Sequence, residues 1–372
     1  MDTIVIGAGL AGLSIANKLS EKGKVLVIDK LPHIGGNCYD YTDENNIIVH
    51  KYGPHIFHTN NELVFNYLSN FTEWNNYTHK VLASYNNQLV NFPFNLTTLY
   101  QIFKKEEADL YFKLISDEFE LGSKISIFDL NKNEKLKELG SFIINNFYAG
   151  YTKKQWGKDI IDLNEDILKR VPIVLSNDNR YFHDKFQGTP KLGYSEMLNN
   201  MINNNIILDL NSNHSIYIKN DNIMFLNKKF KGNVIYTGSI DELFDYTYGK
   251  LPYRTLDLDF KVIDKEQFQP VAVVNYSNTE KFTRITEFKH MHPVNTKYTT
   301  ILKEYPRDAK ELDIKYYPVK NKHSQETLDK YLEKVKKIKN LYLLGRLGEF
   351  KYYNMDEVVA NAINLSKIIL NS

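Results

Sequence analysis

The sequence has 372 residues, 42% of them hydrophobic, and this length suggests two or three domains around a sizeable core. A formal net charge of +2 gives no reason to expect nucleic acid or an acidic surface as a partner. The single cysteine, Cys38, excludes a disulfide framework and a cysteine-rich metal site. A glycine motif begins almost at Met1 and no apolar run reaches membrane-spanning length, so we expect a cytoplasmic protein without a signal peptide.

The chain opens with a pattern typical of dinucleotide-binding units. Thr3–Ile6 and Val25–Ile28 are short apolar runs of the kind that form buried parallel strands, and the residues between them carry helical spacing. The first strand runs directly into the motif G-A-G-L-A-G. In such a motif Gly7 makes the tight turn, Gly9 lets the backbone approach a pyrophosphate, and Gly12 lets helix and strand pack closely.

Further residues favour a dinucleotide-binding site and not merely a tight turn that binds nothing. The second strand ends at Asp29, where an acid is placed to hydrogen-bond a ribose hydroxyl, and Lys30 follows it. The N-terminus of the intervening helix offers free N–H groups to phosphates. The glycine pair before Asn37 permits backbone conformations close to a cofactor, although a plain loop uses such glycines too.

Two histidines, His55 and His58, lie on either side of an apolar pair after a strand predicted at 47–51. A metal site needs a third ligand, and the sequence offers no convincing one. We therefore expect histidines that face the cofactor or are held by structural hydrogen bonds.

Helical patterns dominate residues 99–169 and include the segment around Trp156, one of two tryptophans in the chain. Polar residues and glycines surround Trp156, so a ligand-stacking role and a packing role are both open. Val234–Gly238 reads as a buried strand, and alternating patterns over 253–318 predict an antiparallel sheet.

The C-terminal part returns to the pattern of the first residues. We predict a helix over 326–338, a buried strand over 341–346 and a closing helix from about Asn354 to about Leu370. Asn354 and Glu357 have the spacing of a capping box, which places the start of the closing helix.

Two features favour FAD over NAD as the dinucleotide. A C-terminal strand and helix that complete the cofactor unit give a discontinuous layout that can wrap a large cofactor. The Gly35-Gly36-Asn37 segment also follows the ribose-binding acid closely. The chain has no second G-x-G-x-x-G, which argues against a built-in NAD(P)H domain and leaves open how the flavin is reduced.

Six sequence motifs occur together and in order along the chain. They are His50–Thr59 (HKYGPHIFHT), Gly150–Gly157 (GYTKKQWG), Asn179–Phe182 (NRYF), Thr283-Arg284, Tyr316–Val319 (YYPV) and Gly345–Leu347 (GRL). In this combination the sequence closely resembles the bacterial-type UDP-galactopyranose mutases, from its first strand to its last helix.

The resemblance implies an α/β fold, with a Rossmann-like FAD-binding domain, an inserted helical domain and an antiparallel β-sheet substrate domain. The corresponding segments are 1–76, 196–245 and 335–372 for the discontinuous FAD-binding domain, 97–169 for the helical domain, and 77–96, 170–195 and 246–334 for the sheet domain.

The resemblance also implies an activity, the interconversion of UDP-galactopyranose and UDP-galactofuranose without net redox, which supplies galactofuranose for cell-surface glycans. Reduced FAD acts as the nucleophile in this family, through a covalent adduct of flavin N5 with the anomeric carbon. An external reductant such as NAD(P)H and a homodimer are implied as partners.

The resemblance also implies the site residues. Arg170 and Arg284 are expected to clamp the diphosphate as catalytic residues, and Trp156 is expected to stack on the uracil. The other expected substrate contacts are His79, Thr152, Tyr181, Asn275, Tyr317 and Tyr352. The expected cofactor contacts are Gly7, Gly9, Leu10, Gly12, Asp29, Lys30, Gly36, Asn37, His55, Ile56, Gly345, Arg346, Tyr353, Asn354, Met355, Asp356 and Val358.

The sequence departs from the family pattern at two places. Asn354 stands where an aspartate is expected, and Val174 stands where a second arginine is expected. Neither change removes a role assigned above, but fewer charged groups than expected lie near the diphosphate.

Other interpretations remain open on the sequence alone. A flavin oxidase acting on an amine or an alcohol shares the fold, but its chemistry demands neither a uridine-stacking tryptophan nor a pair of arginines. A non-catalytic FAD-binding sensor would have no affinity for sugar nucleotides. Within the mutase class, UDP-N-acetylgalactosamine and dTDP-fucose are alternative substrates.

Overall fold

Two β-sheets organise the chain, one of five strands and one of seven. The computed structural model of the protein describes residues 2–160 and 171–371. Apolar runs and alternating patterns become strands, and amphipathic segments become helices that cover the sheets.

The strands, in chain order, are β1 (Thr3–Ile6), β2 (Val25–Ile28), β3 (Asp40–Thr42), β4 (Ile48–His50), β5 (Phe57–Thr59), β6 (Val81–Tyr85), β7 (Gln88–Phe92), β8 (Lys124–Ile125), β9 (Ile173–Val174), β10 (Phe186–Gly188), β11 (Ile206–Asp209), β12 (Ile216–Lys219), β13 (Asn222–Phe225), β14 (Lys228–Lys229), β15 (Asn233–Tyr236), β16 (Tyr253–Ile263), β17 (Val273–Tyr276), β18 (Arg284–Glu287), β19 (Thr299–Asp308), β20 (Tyr317–Pro318) and β21 (Leu341–Leu343).

The α-helices are α1 (Leu10–Leu19), α2 (Glu62–Ser69), α3 (Leu96–Ile102), α4 (Lys105–Glu118), α5 (Ile127–Lys132), α6 (Lys137–Ile143), α7 (Ala149–Trp156), α8 (Tyr194–Asn199), α9 (Ile240–Leu243), α10 (Lys322–Val335), α11 (Gly345–Gly348) and α12 (Met355–Asn371). A π-turn over Ile144–Tyr148 joins α6 to α7, and short 3₁₀ turns cover Gly36–Cys38 and Phe288–His290.

The five-stranded sheet is parallel throughout, in the order β11-β2-β1-β15-β21. Its central strands are buried on both faces, which explains why they read as continuous apolar runs. Three separate stretches of chain supply the strands, and the last is the C-terminal return expected from the sequence. The Rossmann-like part of the predicted fold is confirmed.

The seven-stranded sheet has the order β20-β16-β19-β18-β17-β6-β7. Its strands over 253–318 pair antiparallel, as the alternating pattern predicts. One pairing differs, because β17 and β6 run parallel. β6 enters the sheet from a distant segment of chain, not through a hairpin, so a parallel pairing is sterically available to it.

Helices α3–α7 confirm the helical character predicted for the middle of the chain, and residues 161–169 of that prediction lie outside the described residues. Apolar side chains of these helices and of the π-turn between α6 and α7 share one core with the seven-stranded sheet, including Leu99, Ile143 and Phe147 with Val273 and Leu302. This packing brings α7 beside the strands at the centre of the sheet.

The two C-terminal helices differ in how well their starts were predicted. The capping position of the closing helix is confirmed, since α12 begins after Asn354, whose N–H donates to Glu357 Oε2 at 2.7 Å. The helix predicted over 326–338 begins earlier, at Lys322, because Asn321 and Ser324 form a capping box. Of the helices in 2–160 and 171–371, none has the length and apolarity that a membrane crossing requires.

Candidate active site

The glycine-rich turn between β1 and α1 needs glycine for steric reasons at two positions. Gly7 has φ +107°, and a Cβ on it would lie 2.0 Å from Thr237 Oγ1. A Cβ on Gly12 would lie 1.8 Å from the carbonyl oxygen of Gly7. A side chain on Gly12 would therefore push the helix off the strand, whereas one on Gly7 would displace the Thr237 side chain and strain a backbone that favours glycine.

Gly9 differs from these two, because the protein itself leaves room for a side chain there. A Cβ on Gly9 would meet only backbone atoms of Gly35 and Gly36, at 3.7 Å or more. The Gly35 N–H donates to the Ala8 carbonyl at 2.8 Å, which holds the two glycine segments face to face. Gly9 caps α1 without a side-chain hydrogen bond, and the first turn of α1 carries no acid. These features fit a pyrophosphate at the helix N-terminus.

Asp29 closes the same turn. Its carboxylate accepts the Ala8 N–H at 2.7 Å and the Leu31 N–H at 2.8 Å. Each carboxylate oxygen has a second lone pair, so Asp29 can still accept a ribose hydroxyl. On the facing segment, Asn37 Nδ2 donates to the Lys315 carbonyl at 3.3 Å.

The histidines after β4 are held by hydrogen bonds, which confirms that part of the sequence interpretation. His55 Nδ1 lies 2.9 Å from the Gly53 carbonyl, and the His55 N–H donates to His50 Nδ1 at 3.0 Å. His58 Nδ1 lies 2.9 Å from Asp184. Burial lowers the pKa of His55 to about 4, so its ring is neutral at neutral pH. Within 2–160 and 171–371, no group of three or more His, Cys, Asp or Glu is arranged to hold a metal ion.

Arg346 joins the predicted cofactor segment to the predicted substrate segment. Its guanidinium donates to the carbonyls of Tyr316 and Tyr353 at 3.1 and 2.7 Å. It also lies over the rings of Tyr317 and Tyr352, at 5.1 and 4.8 Å from their centroids. Arg346 therefore has a structural role, because it holds the Tyr316 and Tyr353 segments together.

The start of α12 is tied to the strand that follows Ile56. Asp356, near the helix N-terminus, accepts the Thr59 hydroxyl at 2.7 Å. The Val358 N–H donates to the Asn354 carbonyl at 3.2 Å, and the sulfur atoms of Met355 and Cys38 are 3.8 Å apart. These contacts place the Tyr353–Val358 segment against the segments that precede it in the predicted cofactor site.

A polar row crosses the seven-stranded sheet at its centre. Asn275 pairs with Arg284 across β17 and β18, and Arg284 pairs with Glu304 across β18 and β19. Arg284 Nε donates to Glu304 at 2.6 Å, and the Glu304 side chain is 1% exposed. Burial alone would lower the pKa of Arg284, but the charge of Glu304 holds it well above its ordinary value.

The far end of Arg284 is available to a ligand. Its side chain is 24% exposed. Within the part of the chain that the structure describes, the two terminal amino groups of Arg284 make no hydrogen bond. The residue therefore presents a charged fork whose position is already fixed through Nε.

Helix α7 places Thr152 and Trp156 beside this row, and its C-terminus is held by an unpredicted residue. Arg254, 3% exposed, donates to the Lys154 and Gln155 carbonyls at 2.9 Å each. Arginine at a helix C-terminus satisfies the last carbonyls and the helix dipole together. Gly157 ends the helix at φ +67°.

Aromatic rings surround the indole of Trp156. The rings of Tyr317 and Tyr352 stack on each other at 5.3 Å, and Trp156 lies 5.8 and 6.4 Å from them. Trp156 is half-buried, so its ring can pack against these tyrosines and still meet a ligand. The structure thus brings three of the predicted substrate residues into one cluster.

Tyr181 and His79 form a neighbouring pair. The Tyr181 N–H donates to the His79 carbonyl at 2.8 Å, and their rings meet edge to face at 5.5 Å. His79 Nδ1 lies 2.8 Å from the Tyr77 hydroxyl, and burial lowers the pKa of His79 to about 3. Burial raises the pKa of Tyr181 to about 12, so its hydroxyl stays protonated.

Electrostatic interactions join these residues into one site, and two members of it had no role in the sequence interpretation. Arg284 lowers the pKa of Tyr181 and Tyr317, although burial raises both overall. Tyr151 feels the charges of Arg284 and Glu304 in addition to its burial. The sequence did give an indication of the role of Glu304. It lies on the same face of an alternating strand as the apolar Leu302, and a carboxylate buried on that face needs a cationic partner.

Two positions near the predicted diphosphate site need separate comment. Arg170 lies outside the described residues. Val174, where the family pattern led us to expect an arginine, is 4% exposed in β9, a position that suits an apolar side chain.

Comparison with known proteins gives a family and a fold. The sequence profile of the UDP-galactopyranose mutase family matches residues 146–352, and that of the NAD(P)-binding Rossmann-like domain matches residues 5–71. A crystal structure of reduced UDP-galactopyranose mutase covers the whole chain and 94% of its own, with a TM-score of 0.78 and 14% identity. The fold is therefore that of a Rossmann-like enzyme of this type.

Two of the curated relatives illustrate a match along nearly their whole length. A probable UDP-galactopyranose mutase of Klebsiella pneumoniae is 37% identical over 99% of this chain and 94% of its own. A dTDP-fucopyranose mutase of Escherichia coli is 34% identical over 99% of this chain and 98% of its own. The chain belongs to the UDP-galactopyranose mutase family, which makes it an enzyme of the isomerase class, and the family and fold indicate a flavin cofactor.

Proposed function

We propose that the protein interconverts UDP-galactopyranose and UDP-galactofuranose without net redox. The observation that carries the proposal is the fixed guanidinium fork of Arg284 beside the Trp156–Tyr317–Tyr352 ring cluster, in a chain of this family. An anionic diphosphate requires the first feature, and a uracil base with a polar sugar suits the second.

FAD in its reduced form is the proposed cofactor. When bound, it supplies the nucleophilic nitrogen N5 that attacks the anomeric carbon of the sugar. The turn at Gly7, Gly9 and Gly12 would receive the pyrophosphate, with Asp29 on the ribose, and His55 and Ile56 would lie against the isoalloxazine. The remaining proposed cofactor contacts are Leu10, Lys30, Gly36, Asn37, Gly345, Arg346, Tyr353, Asn354, Met355, Asp356 and Val358.

On the substrate side, the residues bind and orient the nucleotide and hold the charge of the departing diphosphate. Trp156 would stack on the uracil with Thr152 beside it, while Arg284 and Arg170 would hold the diphosphate. Buried tyrosines with raised pKa values remain neutral donors at neutral pH, so Tyr181 and Tyr317 can donate hydrogen bonds to the diphosphate. Tyr352, Asn275 and His79 complete the proposed contacts.

The assignment extends to properties of the whole protein. We propose an external reductant such as NAD(P)H, a homodimer, a cytoplasmic location and a role in supplying galactofuranose for surface glycans. The division into a discontinuous FAD-binding domain, a helical domain and a sheet domain, predicted from the sequence, is retained as part of the proposal.

Product analysis tests the function. We expect purified protein with dithionite to convert UDP-galactofuranose into UDP-galactopyranose, resolved by chromatography, and to do so far more slowly when oxidised. A reduced, flavin-loaded protein that leaves both nucleotides unchanged would contradict the proposal. Oxygen consumption with a panel of amines and alcohols would then test the oxidase alternative.

A second substrate has a specific observation in its favour. The relative from Escherichia coli, at 34% identity, is named for dTDP-fucopyranose. Parallel assays with UDP-galactofuranose, dTDP-fucofuranose and UDP-N-acetylgalactofuranosamine give three values of kcat/KM. We expect the first to be the largest, and a larger value for another sugar would reassign the substrate within the same chemistry.

A further inference from the structure

We infer that Lys154 is a positioning residue that locks the nucleotide-stacking helix α7 onto the hairpin that carries Asn275 and Arg284. The inference rests on the proposed nucleotide role of Trp156 and deepens it. Lys154 touches none of the reacting groups and acts through the helix in which it lies.

The geometry of the lysine ammonium is specific. Its Nζ donates to the carbonyls of Tyr276, Glu280 and Phe282 at 2.6, 2.9 and 3.1 Å. A lysine ammonium has three N–H donors and no acceptor, so all its donors are used. The three carbonyls lie at the end of β17 and in the loop before β18.

These partners adjoin the substrate residues on both sides. Tyr276 follows Asn275 directly, and Phe282 stands two positions before Arg284. Lys154 itself lies between Thr152 and Trp156 on α7. One side chain therefore connects the proposed base-binding helix with the proposed diphosphate-binding strands.

Lys154 adds an attachment of α7 to the hairpin, beside the hydrogen bonds that Arg254 makes to the carbonyls at the helix C-terminus. The N-terminal part of α7 is already seated, because a Cβ on Gly150 would lie 1.8 Å from the Ser277 carbonyl, and Ser277 Oγ donates to the Phe147 carbonyl at 2.9 Å. Lys154 lies one turn further on, next to Trp156. Lys154 is half-buried, and this burial lowers the pKa of its ammonium, while the charge of Glu280 opposes that shift.

The neighbouring lysine is a matched control. Lys153 is on the same helix, its side chain is 67% exposed, and it pairs with the exposed Asp159 at 3.0 Å. Such surface pairs contribute little. Lys153→Met and Lys154→Met thus remove the same charge from the same helix, and only the second removes the three hydrogen bonds to the hairpin.

The test compares UDP affinity and steady-state kinetics of the flavin-loaded variants. We expect Lys154→Met to raise the UDP dissociation constant and KM by about tenfold, since hydrogen bonds from a charged donor are strong, and to leave kcat within about threefold. Lys153→Met should match the wild type. Lys154→Gln, which keeps two donors, should give an intermediate affinity and serves as the measurement if Lys154→Met does not fold.

A double-mutant cycle separates positioning from general damage. In a Trp156→Ala background, Lys154→Met should raise the UDP dissociation constant by less than about twofold, because its effect passes through the missing ring. A fully additive cycle, or equal affinities for Lys154→Met and Lys153→Met, would overturn the inference. If the wild type neither binds UDP nor converts the sugar nucleotide, the proposed function fails instead.

Discussion

The proposed dinucleotide site and the proposed substrate site of this protein are built in different ways. The dinucleotide turn is made of backbone from consecutive residues, with Gly7 and Gly12 fixed by contacts within the β1–α1 unit and by Thr237. The proposed substrate site is made of side chains from distant segments, such as Trp156 on α7 and Arg284 on β18. One added side chain can therefore disable the dinucleotide site. The substrate site depends on several side chains, and each of them can be removed by a separate substitution.

The largest expected effect separates two glycines of the turn. Gly9→Val should remove the flavin, because the side chain occupies space that the protein leaves open, while the far-UV circular dichroism stays native. Gly12→Ala should instead destabilise the fold, because its Cβ would lie 1.8 Å from the Gly7 carbonyl. Flavin absorbance and thermal unfolding of both variants check this, and a Gly9→Val protein that retains its flavin would contradict the pyrophosphate site.

Substitution of Arg284 in the proposed substrate site should give the next largest effect. Arg284→Ala should abolish turnover and most UDP affinity, and it should lower stability by about 3–5 kcal/mol, since it leaves the buried Glu304 without its partner. Arg284→Lys should rescue only in part, because an ammonium does not reproduce the fork. Adding Glu304→Gln to Arg284→Ala should restore stability but not UDP binding. Turnover of Arg284→Ala at the wild-type rate would show that the diphosphate is held elsewhere.

Stacking of Trp156 on the base should contribute a smaller amount to UDP affinity, and its loss should leave flavin binding unaffected. Trp156→Ala should raise the UDP dissociation constant about tenfold, since base stacking on an aromatic ring contributes about 1–3 kcal/mol. Flavin content should stay unchanged, because within 2–160 and 171–371 the rings that Trp156 meets are those of Tyr317 and Tyr352. Calorimetric titration checks the change in both flavin redox states, and an unaltered constant would make Trp156 a packing residue.

The effect expected to matter least at neutral pH is a pH dependence of stability. Burial lowers the pKa of His292 from 6.5 to about 4 and that of His55 likewise to about 4. As the pH falls below 6.5 the unfolded chain takes up these protons first, so the free energy of unfolding should decrease between about pH 6.5 and about pH 4. Urea unfolding of His292→Gln should show a shallower decrease than the wild type, and an identical slope would contradict the buried neutral state.

The contrast between the regions also explains what the sequence could predict. The β1–α1–β2 unit was predicted to the residue in its strands, because Thr3 to Asp29 lie together in sequence and their pattern has one physical solution. The closing helix was predicted from the Asn354–Glu357 spacing. The start of α10 was missed, although Asn321 and Ser324 gave the local indication in the form of a capping box.

Sequence patterns could not predict the contacts that hold the residues of the proposed substrate site. Arg284 was assigned by resemblance, but its partner Glu304 lies on another strand and depends on sheet register. Arg254 and Lys154 contact carbonyls about a hundred residues away in the chain, and a carbonyl has no side-chain identity to detect. The parallel pairing of β6 with β17 likewise depends on tertiary packing.

Whether the two sites bind their ligands independently can be tested in a single set of UDP titrations. The samples are flavin-free wild type, Gly9→Val and flavin-loaded Trp156→Ala beside the flavin-loaded wild type. The account predicts that Gly9→Val binds UDP within about twofold of the flavin-free wild type, since substitutions that share no contacts are nearly additive, and that Trp156→Ala loses about tenfold in UDP affinity with full flavin content. Loss of UDP affinity in Gly9→Val as large as in Trp156→Ala, or loss of flavin from Trp156→Ala, would contradict it.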